Sequence, residues 1–205
     1  MPAQSLHLEA FVLTKRPAAD PYQAYVLFSS EHGTLHALQR VSKKPAPGQV
    51  QLDLFDEAAL DLDSSNQGRT WFVREARLIA RSAAIGRSYE SLQAASAFAL
   101  LIARNPVLEE SRPQVAALVR TAIAAFATAE RPEIVGFKCL YCFARGEGHP
   151  VKQQWFPLLT AADRETVAVL LNRPLAEQTA AADAVARLQR ALEEYLKGNT
   201  EILLP

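Results

Sequence analysis

The chain has 205 residues, 49% of them hydrophobic and 21% charged, which is enough for one large or two small cores. Lysine plus arginine equals aspartate plus glutamate at 22 each, so a nucleic-acid-binding role would have to rest on locally concentrated positive charge. The two cysteines exclude a disulfide framework and fit a reducing compartment. We read neither a signal peptide nor a membrane-spanning run, and expect a cytoplasmic protein.

The first 81 residues are typical of short strands separated by turns. From Leu6 to Leu13 apolar residues occupy both alternating faces, as in a strand buried on both sides. Two further apolar runs flank a turn that contains His32 and Gly33, which predicts a hairpin. Five short strands favour a small closed or half-closed barrel, because closure removes sheet edges. The predicted strands cover residues 6–13, 22–29, 34–41, 49–55 and 70–80.

From about Ser82 alanine, leucine, arginine and glutamate dominate, and the apolar period becomes helical. Ser88 and Thr160 are predicted N-caps, and Gly198 with Asn199 is the predicted C-cap of the last helix. The sequence therefore predicts an α+β protein with a barrel domain at 1–81 and a helical domain at 82–205. The predicted helices cover residues 89–104, 111–129, 132–145, a segment that begins after 160, and 179–197.

The charges of the barrel domain are separated along the sequence. Each domain is neutral, with nine charges of each sign through residue 81 and 13 of each after it. Acidic residues concentrate between 53 and 63, whereas basic residues lie at 15–16, 40–44 and 69–81. This pattern fits either a solvated surface or a groove for nucleic-acid phosphates. Tyr25, Trp71 and Phe72 could stack on bases in such a groove, although strand aromatics more often belong to the core.

Cys139 and Cys142 form a single C-x-x-C inside an apolar helical run. A structural zinc site usually needs two such pairs, and a redox role needs the first cysteine at a helix N-terminus, so we interpret both as core residues. The histidines show no metal-ligand spacing, and Asp61 with Asp63 is interpreted as a solvated strand end. No catalytic motif is present, and we expect neither enzyme activity nor a cofactor.

Several motifs follow one another in a fixed order. L-x-x-x-A-F-V-L at 6–13 precedes a Lys-Arg pair, and V-L-F-S at 26–29 precedes E-H-G-x-L at 31–35. A basic tail then leads into a Pro/Gly loop, and the last helix ends in L-x-x-Y-L-x-G at 192–198. Over the whole chain this order resembles the RecO family of bacterial DNA-repair and recombination mediators.

The resemblance implies an OB-fold barrel packed on a helical domain, without enzyme activity. It implies binding of single- and double-stranded DNA, strand annealing, action with RecR, binding of the C-terminal tail of single-stranded-DNA-binding protein, and assistance in RecA loading. Many members carry a four-cysteine zinc site, but the corresponding stretch at 149–160 has no cysteine here. The resemblance assigns DNA contact by position to Lys15, Arg16, Arg40, Lys43 and Lys44, and charge alone adds Arg69, Arg74 and Arg77.

Two other interpretations stay open. A scaffold of the same fold, with weakened or lost DNA binding, would capture an acidic, apolar-tailed partner peptide. An enzyme would use the acidic patch or the cysteine pair. Basic residues that form one face would favour DNA binding, whereas acids at 53–63 interleaved with them would favour the scaffold.

Overall fold

The computed structural model describes residues 4–17, 21–41, 50–64 and 67–205. The chain forms two compact units. One contains Met1–Ser82 together with Pro106–Ala116, and the other contains Ala83–Asn105 together with Ala117–Pro205. The strands belong to the first unit and most helical residues belong to the second, which confirms the predicted α+β class.

Five strands close into a barrel in the order β1-β2-β3-β5-β4. Neighbouring strands are antiparallel except for β3 and β5, which run parallel. This is an OB-fold arrangement, so the predicted barrel is confirmed. The strands are β1 (Gln4–Lys15), β2 (Tyr22–Ser29), β3 (Gly33–Arg40), β4 (Glu57–Ser64) and β5 (Trp71–Ala80).

The barrel interior is filled by the inward side chains of each strand. Leu27 and Leu62 are fully buried there. Phe11 and Leu13 alternate with the interior Val12 and are also buried, so this part of β1 is buried on both faces, as predicted. The interior cluster is Leu8, Ala10, Val12, Tyr25, Leu27, Ala37, Leu52, Ala58, Leu60, Leu62 and Trp71.

The predicted fourth strand at 49–55 is wrong. Residue 49 lies outside the described residues, 50–56 contains no strand, and the acidic stretch that follows forms β4. The Gln39 side chain binds this loop by donating to the Val50 carbonyl at 2.7 Å and accepting from the Leu52 amide at 3.1 Å. Leu52 is fully buried in the barrel core. The polar–apolar alternation therefore reflects a loop that inserts one leucine, with side-chain hydrogen bonds replacing a strand ladder.

The predicted hairpin between β2 and β3 is confirmed, and Gly33 is required at its turn. Gly33 has a φ of +68°, which side chains other than glycine rarely adopt. A Cβ there would also lie 3.0 Å from the Nε atom of Arg112. Arg112 holds the turn because its Nη1 donates to the Glu31 carbonyl at 2.8 Å.

Two helices of the second unit begin with the N-cap residues that were predicted from the sequence. The Ser88 hydroxyl accepts from the Ser91 amide at 3.2 Å, and the Thr160 hydroxyl accepts from the Asp163 amide at 3.1 Å. The helices are α1 (Tyr89–Arg104), α2 (Arg112–Thr128), α3 (Pro132–Gly146), α4 (Ala161–Asn172) and α5 (Ala182–Asn199).

The predicted C-cap of the last helix is wrong, because α5 continues through Gly198 and Asn199. The Asn199 side chain donates to the Tyr195 carbonyl at 2.8 Å, and the Thr200 hydroxyl donates to the Leu196 carbonyl at 2.7 Å. These bonds satisfy the last carbonyls of the helix without a left-handed glycine. Within the described ranges, none of the helices has the length and apolarity needed to cross a membrane.

Candidate nucleic-acid interface

Basic and aromatic side chains meet on the outer surface of β2, β3 and β5. Tyr22 begins β2 and lies opposite Arg40 at the end of β3. Gln23 and Tyr25 are buried, so the alternation of the strand turns Tyr22 and Ala24 outward.

The same surface continues onto β5 and the end of β1. Phe72 lies opposite Leu38 of β3, and Leu38 lies opposite Ala24 of β2. The Arg16 amide donates to the Ala24 carbonyl at 3.0 Å. One row of residues therefore runs across the strands, with Arg16 at one end and Phe72 at the other. Neighbouring strands lie about 4.8 Å apart, which makes this row roughly 15 Å long. We call Arg16, Tyr22, Arg40 and Phe72 the aromatic–arginine face.

The two rings of this face touch each other. The centroids of Tyr22 and Phe72 lie 5.7 Å apart with an interplanar angle of 71°, an edge-to-face arrangement. Both residues are half-buried, so ring surface stays open to solvent. Tyr25 and Trp71 are only 2% and 5% exposed and belong to the core. Of the three stacking candidates named from the sequence, only Phe72 reaches the outer surface.

The arginines of the face, Arg16 and Arg40, are exposed and form no ion pair within the part of the chain that the structure describes. Arg69 is also exposed but precedes β5, where no strand register relates it to the face. Lys43 and Lys44, two further candidates, lie outside the described residues.

Lys15 and Arg81 instead form ion pairs with Asp53 and Asp56 at one end of the barrel. We call these four residues the charged mouth. The Lys15 ammonium donates to Asp53 Oδ1 at 3.1 Å. Arg81 donates to both carboxylate oxygens of Asp56, at 2.9 and 2.7 Å, and to the Gln51 carbonyl at 2.9 Å. Asp56 is fully buried, and its hydrogen bond with Arg81 raises the pKa of the guanidinium. These two cations neutralise acids of the 50–56 loop.

On the outer surface of β4 and β5, acids interleave with arginines. Arg74 Nε lies 3.3 Å from Asp63 Oδ2. Asp61 lies opposite Glu75, two positions before Arg77 on β5. The register therefore gives Arg74 and Arg77 acidic surroundings, and on this side it matches the arrangement that favours the scaffold interpretation.

A polar ladder joins β1 to β4 beside these acids. The Ser5 hydroxyl donates to Asp63 at 2.8 Å, and His7 Nδ1 lies 2.6 Å from Asp61 Oδ1. Cross-strand pairs of this kind stabilise a sheet locally. Ser5 and His7 of β1 thus bond to Asp63 and Asp61, the two acids that were interpreted from the sequence as a solvated strand end.

The cysteine pair divides between core and surface. Cys139 is buried in α3, whereas Cys142 is exposed, so the core interpretation is confirmed for the first and wrong for the second. Burial raises the pKa of the Cys139 thiol, and partial loss of hydration around the Cys142 sulfur raises its pKa as well, although that residue is exposed as a whole. Both shifts disfavour the reactive thiolate. Across the described ranges, no group of three or more His, Cys, Asp and Glu side chains could hold a metal ion.

Sequence reasoning missed Tyr22. Alternation along β2 offered no usable signal, because Val26 and Phe28 at even positions are buried as well as Tyr25 and Leu27 at odd positions. Only the pairing of β3 with β5 brings Phe72 close enough to Tyr22 for ring contact.

No family model matches the sequence, and no curated protein matches it significantly.

Proposed function

We propose that this protein binds DNA through the aromatic–arginine face. The observation that carries the proposal is the placement of Arg16 and Arg40 beside the half-exposed Tyr22–Phe72 ring pair on one surface of an OB-fold barrel. Guanidinium groups bind backbone phosphates, and aromatic rings stack on unpaired bases. OB-fold barrels use such surfaces to bind oligonucleotides.

Local charge supports this proposal despite the neutral total. Over the described ranges Arg16 and Arg40 form no ion pair, whereas Lys15 and Arg81 bond to acids of the charged mouth. Asp63 of β4 lies opposite Phe72, so we expect phosphates to follow Arg16 and Arg40 and the ring pair at the β5 end of the row to meet bases.

In the cell we propose a role like that of the RecO family, as a cytoplasmic DNA-repair and recombination mediator without catalytic activity. The protein would bind single- and double-stranded DNA, anneal strands, and act with RecR and the tail of single-stranded-DNA-binding protein to assist RecA loading. The support for this role is the sequence resemblance together with an OB-fold barrel followed by a helical region.

The test is the salt dependence of binding to a fluorescein-labelled single-stranded oligonucleotide. Replacing Arg16 and Arg40 by alanine should weaken binding roughly tenfold or more, and should reduce the slope of log K against log salt by about 1.4, because each lost phosphate contact removes about 0.7. Arg77→Ala is the matched control, since it removes an exposed β5 arginine that lies among acids. An unchanged slope in the double variant, with an intact far-UV spectrum, would remove the face as the binding site.

A protein-interaction scaffold is the second candidate. The observation that favours it is the interleaving of Asp61, Asp63 and Glu75 with the β5 arginines. It predicts no retention of the wild-type protein on immobilised single-stranded DNA at moderate salt. Retention that Arg16→Ala and Arg40→Ala abolish would exclude it.

A further inference from the structure

An open groove runs between α1, α3 and α5 of the helical unit. It encloses about 580 Å³, within the range of ligand-binding clefts. Small side chains make room for it, because Ala94 and Ala97 of α1 face Gly136 of α3 and Ala186 of α5 across the cleft. Phe98 also lines the groove, so an apolar ligand would find an apolar floor.

The rim of this groove is acidic. Each of the three helices contributes one carboxylate to it, from Glu90, Glu133 and Glu193, against the single guanidinium of Arg190. Glu133 is bonded to Arg131 at 2.5 Å, which leaves two carboxylates without a cationic partner among the described residues. Hydrogen bonds from its own amide and from the Ser88 hydroxyl hold the pKa of Glu90 low, so it is ionised at neutral pH.

The polar groups of the groove are mainly acceptors. The Gln189 side chain donates through Nε2 to Glu193 Oε1 at 2.7 Å. Its Oε1 atom is out of contact with solvent and has no hydrogen-bond partner within the described part of the chain. A buried acceptor without a donor is costly, but a ligand in the groove cannot reach this atom. The acceptors that line the groove and can meet a ligand are the carboxylates of Glu90 and Glu193.

The end of the chain shows that this region accepts an extended peptide backbone. Leu204 and Pro205 line the groove. The Asn105 side chain accepts from the Leu203 amide at 2.8 Å and donates to the Leu203 carbonyl at 3.0 Å, and Arg104 donates to the Leu204 carbonyl at 3.1 Å. Asn105 is 7% exposed, so this clamp is held firmly in place.

We propose that the groove docks a partner protein through an extended, apolar segment that carries lysine or arginine. The apolar floor fits leucine-like side chains, and the carboxylates of the rim fit cationic donors. An acidic, apolar tail would place its carboxylates against Glu90 and Glu193, which disfavours it at this groove. The proposal is independent of the DNA-binding face.

The experiment uses the full chain and two fluorescein-labelled peptides with the same leucines. One peptide carries lysines and the other carries aspartates at the same positions. The lysine peptide should bind at least tenfold more tightly by fluorescence anisotropy, and added salt should weaken it. Equal or tighter binding of the aspartate peptide would overturn the proposal. A failure of both peptides to bind would also overturn it.

Two glycine variants locate the binding. Nothing lies within 4 Å of a Cβ built at Gly136 or at Gly146, so Gly136→Leu and Gly146→Leu should both fold. Gly136→Leu fills the groove and should reduce lysine-peptide affinity at least tenfold. Gly146→Leu, at the exposed end of the same helix, should leave it unchanged. Equal affinity in the two variants would place the peptide elsewhere and reject the groove.

The acidic rim has its own variant. Glu90→Gln with Glu193→Gln keeps the shape of the rim and removes two charges. It should weaken the lysine peptide several-fold and remove most of the salt dependence. Unchanged salt dependence would show that these carboxylates do not select the ligand.

Discussion

Arginine side chains have different roles in the charged mouth and in the aromatic–arginine face of the same barrel. At the mouth, Arg81 is bonded to the fully buried Asp56 and to a loop carbonyl. On the face, Arg16 and Arg40 are exposed and have no ion-pair partner among the described residues. A cation bonded to a buried acid supports the fold, whereas an uncommitted cation beside exposed rings remains available to a ligand.

The largest effect should follow from breaking the mouth. Arg81→Met leaves the carboxylate of Asp56 buried without a cation, and should lower the free energy of unfolding by about 3 kcal/mol. Urea denaturation measures it. The refolded variant should bind the oligonucleotide as the wild type does, and a parallel loss of DNA affinity in folded protein would erase the distinction between mouth and face.

The next effect should come from the rings of the face. Tyr22→Ala with Phe72→Ala should weaken single-stranded DNA binding by about 1–3 kcal/mol, the usual value of stacking one base on an aromatic ring. Because the phosphate contacts remain, the slope of log K against log salt should not change. Leu38→Ala removes an apolar neighbour from the same row and serves as the control, with affinity close to that of the wild type.

A smaller, pH-dependent effect is expected at Lys15. Partial burial favours a higher pKa for Asp53, but hydrogen bonds from the Leu54 amide and Lys15 outweigh it and lower that pKa below its ordinary value of 3.8. A depressed carboxyl pKa stabilises the fold above the unfolded pKa, and the gain is lost as pH falls through the folded value. Lys15→Met should therefore be less stable than wild type above pH 5 and equally stable near pH 2, by thermal denaturation. A gap of the same size at both pH values would contradict this.

The smallest effect is expected at Arg74. Its partner Asp63 lies on the outer surface and Arg74 is 69% exposed, so Arg74→Ala should change the free energy of unfolding by less than about 1 kcal/mol. DNA affinity should stay within twofold, because the neighbouring acids already offset this charge. A tenfold loss would extend the DNA-binding surface to Arg74 and the β4 side of the barrel.

Strands and caps were predictable where local chemistry decides them. The hairpin at Gly33 and the caps at Ser88 and Thr160 depend on neighbours a few residues away. The fourth strand was missed because a loop that buries Leu52 and a half-buried strand show the same alternation. The last helix was predicted to end early because the donors that satisfy its carbonyls, Asn199 and Thr200, are an alternative to the glycine cap.

The sequence by itself determined the α+β order, the barrel and the positions of the basic residues. Only the tertiary structure decided which of those residues share a surface, because strand pairing joins residues far apart in the chain. Parallel pairing of β3 with β5 brings Phe72 beside Tyr22 and Arg40, and the 50–56 loop carries Asp53 and Asp56 to Lys15 and Arg81. Whether a charged residue stabilises the fold or remains available to a ligand therefore depends on whether folding brings an oppositely charged partner to it.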